Sequence, residues 1–139
     1  MNKKGMMALE ALIASTQILL LAAVVTGLLV TFWQIWLDSN RASQQRQWST
    51  VAFAYLDQDL KSAERVVVTR SAIRVILPGE EYTYTVTLDK SFYRGKGQAY
   101  YALALVEDVR WWQEGSLLWV EIFYPQESYR CCYCLGETP

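Results

Sequence analysis

The 27 residues from Ala11 to Leu37 carry no charge. As an α-helix this run would span about 40 Å, against about 30 Å of bilayer hydrocarbon. A soluble domain has no use for so long an uncharged helix. The sequence therefore predicts one membrane-crossing helix near the N-terminus and a separate domain after it. Phe32, Trp33 and Trp36 lie at the far end of the run, where aromatic belts sit. Lys3 and Lys4 precede it, so the positive-inside rule keeps the N-terminus in the cytoplasm and places the rest outside. Arg41 and Arg46 weaken this asymmetry without reversing it. A cleaved secretory signal would need an apolar core of only about 7–15 residues. A plain signal anchor accounts for the length and the lysines but not for the one charge inside the apolar stretch, Glu10.

A carboxylate in hydrocarbon costs about 2.5–3.5 kcal/mol at a helix centre and less near an end. It is kept where it has a partner. The segment "KKG|MMALE" followed by the apolar run resembles the leader of type IV pilins and pseudopilins. In that family a prepilin peptidase cuts after the glycine and methylates the new N-terminus, and a glutamate is the fifth mature residue. The resemblance implies cleavage between Gly5 and Met6, which makes Glu10 fifth. It also implies that Glu10 pairs with the N-terminal ammonium of a neighbouring subunit in a filament. At about 4 Å and an effective dielectric of about 20, that attraction is roughly 4 kcal/mol before desolvation. Leu9 fits the family pattern; Met6 departs from it, since Phe is usual there.

No proline occurs before Pro78, so the helix can continue beyond the membrane. Gly27 is an internal weak point worth about 1 kcal/mol relative to alanine. "DSNRAS" at 38–43 predicts a bend or fray, because Asp, Ser and Asn side chains compete for backbone hydrogen bonds. Beyond it, Trp48, Val51, Ala52, Tyr55, Leu56, Leu60 and Ala63 recur at helical spacing and mark one apolar face. Asp57 and Lys61 lie off that face as an i,i+4 pair. A sheet packed on this face is expected; a two-chain coiled coil is the alternative, over little more than two heptads.

From Arg65 the pattern becomes that of strands: "RVVVTR", "AIRVIL", "YTYTVTL", "AYYALALV", "VRWW" and "LLWVEIFY". "PGEE" and "QEGS" read as turns, and Pro125 ends the last expected strand. The predicted fold is α+β: a long N-terminal transmembrane helix continuing into an amphipathic helix packed on one antiparallel sheet of about four to six strands, a pilin-like layout. The expected organisation is a leader at 1–5, a transmembrane or filament-core helix at 6–37, an amphipathic helix at 38–64, a sheet headpiece at 65–125 and a Cys-rich tail at 126–139.

The headpiece looks most like the ComGF-type minor pseudopilins of bacterial competence systems. The resemblance rests on Leu56, Asp59 and Leu60 at the helix end, on Arg94, Lys96 and Gly97 in "YRGKGQ", and on a closing pair of hydrophobic strands. It implies a structural role in a type IV pilus-like filament needed for DNA uptake. The implied partners are other pseudopilins of the filament, the prepilin peptidase, and an assembly platform protein with its ATPase. The implied place is the cell membrane, single-pass, reaching the cell surface after assembly. Alternatives are a signal-anchored extracellular binding module and a pseudopilin of a type II secretion-like system.

Direct DNA binding is not expected. Beyond Leu37 eleven basic and thirteen acidic residues leave a net charge of −2, whereas phosphate binding rests on clustered Lys and Arg. Arg65, Arg70, Arg74, Arg94 and Lys96 with Tyr93 form the one patch to weigh, and charges guarding a sheet edge explain them more simply. The chain has no histidine, which removes Ser-His and Cys-His machinery. The carboxylate pairs Asp57/Asp59, Glu80/Glu81 and Glu107/Asp108 do not converge by local geometry. No enzymatic role, cofactor or metal is expected. Cys131, Cys132 and Cys134 fall one ligand short of a four-ligand zinc site. One internal disulfide with a free thiol, a disulfide to another subunit, and an unordered tail all remain open for them.

Overall fold

The computed structural model describes residues 3–136. The described chain holds one α-helix and eight strands, and it divides into two units between Ala42 and Ser43. Helix α1 runs Lys3–Lys61. The fray expected at 38–43 does not occur: these residues are helical throughout. The good helix formers that follow, Arg41, Ala42, Gln44, Gln45 and Arg46, outweigh the three weaker residues before them.

Within the first unit every side chain from Gly5 to Trp36 is exposed. This helix is long and apolar enough to cross a membrane. Four of its hydroxyls are satisfied internally. Ser15 donates to Leu12 O, Thr16 to Ile13 O, Thr26 to Ala22 O and Thr31 to Gly27 O. Such back-bonding removes the cost of a bare hydroxyl in hydrocarbon.

The second unit packs the end of α1 against two antiparallel sheets, not one. The first is a meander in the order β1 (Arg65–Val68), β2 (Ala72–Leu77), β3 (Glu80–Val86), β4 (Ser91–Lys96), β5 (Ala99–Leu105). The second is β6 (Asp108–Glu114), β7 (Leu117–Phe123), β8 (Ser128–Cys134). The division falls at one peptide. The Val106 N–H donates to Lys90 O beside the first sheet, and the next N–H, of Glu107, donates to Phe123 O in the second. The chain changes ladders between adjacent residues.

The tail expected at 126–139 is also corrected: residues 128–134 form β8. Tyr129, Cys131 and Tyr133 alternate inward, with cysteine acting as a small apolar residue. Gly79 and Gly115 take positive φ in the two expected turns.

Alternation sets the faces. In the first sheet Ile73, Val75, Tyr84 and Phe92 turn inward from β2, β3 and β4, with Ile73 directly opposite Tyr84. In the second, Leu118, Val120 and Ile122 do so from β7. From α1, Ala52 and Leu56 meet both. Fully burying a Val, Leu, Ile or Phe side chain contributes about 1.5–3 kcal/mol. The buried stripe of the helix is rotated from the expected one. Val51 and Tyr55 are exposed, while Ser49 and Asp59 are buried.

Candidate functional site

Two places in the chain concentrate unusual chemistry. The first is the start of α1. Gly5, Met6 and Glu10 lie in its first turns, and all three are exposed. A Cβ built on Gly5 meets nothing within 4 Å. Packing within this chain therefore does not require a glycine there. The Gly5–Met6 peptide lies within the first described turn of α1. Among the described residues no ion pair involves Glu10.

The second place is the last turns of α1 against β3 and β4. The alternation of Phe92, Arg94 and Lys96 points Arg94 toward the helix, opposite Tyr84 in the ladder. Arg94 grips Asp59 with two bonds: Nε donates to Oδ2 at 2.8 Å and Nη2 to Oδ1 at 2.8 Å. The Tyr84 hydroxyl donates to Asp59 Oδ2 at 2.5 Å. Asp59 is 3% exposed, and its charge is met by the forked geometry that suits a carboxylate best. The Arg94 guanidinium lies 3.8 Å from the Tyr82 ring centroid, with Tyr55 at 5.1 Å on α1. The bonds to Asp59 push the Arg94 pKa further up. Burial, then the Asp59 carboxylate, push Tyr84 well above the ordinary phenol.

An outer pair continues the row. Lys96 Nζ meets Glu80 Oε1 at 2.5 Å, and the Tyr82 hydroxyl donates to Glu80 Oε2 at 2.8 Å. Lys96 and then Tyr82 hold the Glu80 carboxyl below its usual range. The helix is fastened to the second sheet as well. The hydroxyls of Ser49 and Tyr124 lie 2.9 Å apart in the core, and the Tyr133 hydroxyl donates to Phe53 O at 3.1 Å. Both carboxylate oxygens of Asp59 are used to hold structure, Oδ2 twice and Oδ1 once. The cluster is a lock between helix and sheet.

The basic residues weighed as a patch are divided. Arg94 and Lys96 face the helix side and are paired, whereas Arg74 is exposed beside Glu81, 4.0 Å away. Tyr93 alternates to the opposite face from Arg94 and donates to Asp89. The expected pair on the helix surface is present, Lys61 Nζ to Asp57 Oδ2 at 2.6 Å.

The cysteines are free thiols. Cys131 turns inward beneath Val120, while Cys132 and Cys134 are exposed together on the outer face of β8. On that face Trp112 stacks on Trp119, and Cys132 lies opposite Trp119 in the ladder. No group of three or more His, Cys, Asp or Glu side chains suited to a metal ion occurs among the described residues.

The lock's members were visible in sequence, but not their meeting. Asp59, three residues after Leu56 and next to Leu60 at the apolar edge of a helix, is the signal. So is an arginine alternating with a core Phe. Comparison with known proteins gives no match, whether with family models, curated proteins or solved structures.

Proposed function

We propose that the chain is a structural subunit of a type IV pilus-like filament, a minor pseudopilin of the competence type. The observation that carries this reading is Glu10, a carboxylate set at the start of a long uncharged helix and five residues after Gly5. Cleavage at Gly5 creates an ammonium on Met6. Packed side by side with an axial offset, such helices bring that ammonium to Glu10 of a neighbour. Removing the charge pair from water is costly, so only the paired stagger is favoured. The helix end is then fixed in its headpiece by the Asp59–Arg94 lock, which joins two of the segments on which the family resemblance rests.

Mass spectrometry of the chain co-expressed with a prepilin peptidase tests the reading. The expected product lacks residues 1–5 and carries a methyl group on Met6. An intact Met1, or loss of a longer peptide, overturns it.

A further inference from the structure

The outer face of β8 carries a feature that the filament reading does not use. β8 is the last strand of its sheet, with β7 on one side only. At its two ends the N–H of Tyr124 donates to Glu127 O and the N–H of Leu135 donates to Ser116 O. Both bonds fit the β7/β8 register, in which Leu117 faces Cys134. The odd-numbered residues of β8 therefore direct their backbone groups to β7. The even-numbered ones, Ser128, Arg130, Cys132 and Cys134, direct theirs to the open side.

The same even positions hold the two exposed thiols. Cys132 and Cys134 cannot join each other while β8 persists. Two residues apart on a strand, their Cα atoms lie about 6.8 Å apart with parallel Cα–Cβ bonds. That is the upper limit for a disulfide, and the bond directions are wrong for one. Cys131 points to the opposite face. Any disulfide of these outer thiols must come from another chain.

We propose that β8 is a self-pairing edge, at which two copies of this chain join antiparallel about Tyr133 and become cross-linked twice, Cys132 of each to Cys134 of the other. On the open side the even residues make the hydrogen-bonded pairs of the new ladder. Directly opposed Cα atoms in such pairs lie about 5.5 Å apart, inside the range disulfides span, while their Cβ atoms lie about 5.5 Å apart, so each S–S bond draws the paired edges together locally. A second copy is the occupant that uses both thiols, because two cysteines placed symmetrically about Tyr133 match themselves under a two-fold rotation. Arg130 then meets no second Arg130. At each bond two S–H bonds break and one S–S bond forms. The two protons and two electrons pass to a small-molecule disulfide, which leaves as two thiols. The Cys132 pKa is raised, first by loss of water and then by the charges of Cys134, Cys131 and Glu114. The thiolate attacks, so cross-linking speeds up as pH rises toward 9.

The test uses the full chain in detergent micelles, oxidised with glutathione disulfide and run on non-reducing gels. A thiol-reversible dimer is expected from the natural chain and from Cys131→Ser. Cys132→Ser alone and Cys134→Ser alone should each give none. Mixing these two variants should restore a dimer, because the remaining thiols of unlike chains then face each other. Four results would overturn the proposal: dimer from either single variant alone, no dimer from the mixture, only glutathione adducts on monomer, or the same dimer yield in denaturing urea.

Discussion

Arg94 on β4 holds Asp59 on α1 through two parallel hydrogen bonds, both 2.8 Å long, at the point where the helix meets the first sheet. Breaking a buried pair from one side leaves a charge without a partner, which costs about 3–5 kcal/mol. Asp59→Ala or Arg94→Ala should therefore lower headpiece stability by about that amount in urea denaturation. Lys96→Ala removes an exposed, solvent-screened pair and should cost far less. Equal costs at the two sites would show that the inner pair is no lock.

Tyr84 ties pH to stability. Its folded pKa is raised above the ordinary value near 10, so the folded state keeps the proton longer than the unfolded one. Its stabilising effect is complete below about pH 10 and is lost as pH rises beyond it. The slope is about 1.4 kcal/mol per pH unit for this group. Tyr133 and Tyr124 shift the same way through burial. Alkaline denaturation followed by tyrosinate absorbance should show a shallower loss in Tyr84→Phe than in the natural chain.

Gly95 faces Tyr100 across the β4/β5 ladder. A Cβ at position 95 would lie 2.5 Å from Tyr100 Cε1. Tyr100 is exposed and its ring can shift, so Gly95→Ala should destabilise by about 1 kcal/mol, the low end of overpacking costs. Tyr100→Ala in the same chain should recover much of that loss. An additive double mutant in thermal melts would refute the contact.

Leu56 is fully buried, whereas Val51, less than two turns earlier, is 47% exposed. Leu56→Ala should cost about 2–5 kcal/mol. Val51→Ala should stay within about 1 kcal/mol. A large loss at Val51 would mean that this face is covered in the folded chain.

Glu10→Gln removes the charge and keeps the shape. Under the filament reading it should leave membrane insertion and headpiece melting unchanged but prevent cross-linking to neighbouring subunits through cysteines placed in the helices. Unchanged cross-linking would count against an ammonium partner for Glu10.

Local signals in the sequence reached the structure largely intact. The alternation of "YTYTVTL", the turn glycines and the Asp57–Lys61 pair depend on neighbours close in the chain. What sequence did not disclose depends on distant partners. Whether Val106 and Glu107 continue one ladder or start another is decided by Lys90 and Phe123, which lie elsewhere in the chain. Asp59 lies beside the apolar face in sequence, but its partner Arg94 is 35 residues away. β8 hid because cysteines beside Tyr129 and Tyr133 do not resemble an apolar strand. The start of the helix, with Gly5, Met6 and Glu10, was the reverse case: its pattern is wholly local, and its meaning lies outside the chain.

The fastenings of α1 to its headpiece have a mechanical consequence. Ser49 and Phe53 grip the second sheet and Asp59 grips the first, so they are spread along the helix axis and divided between two sheets. A pull along that axis strains all three in shear at the same moment. No single bond can be peeled away ahead of the others, so a tug on the helix has to defeat both sheets together.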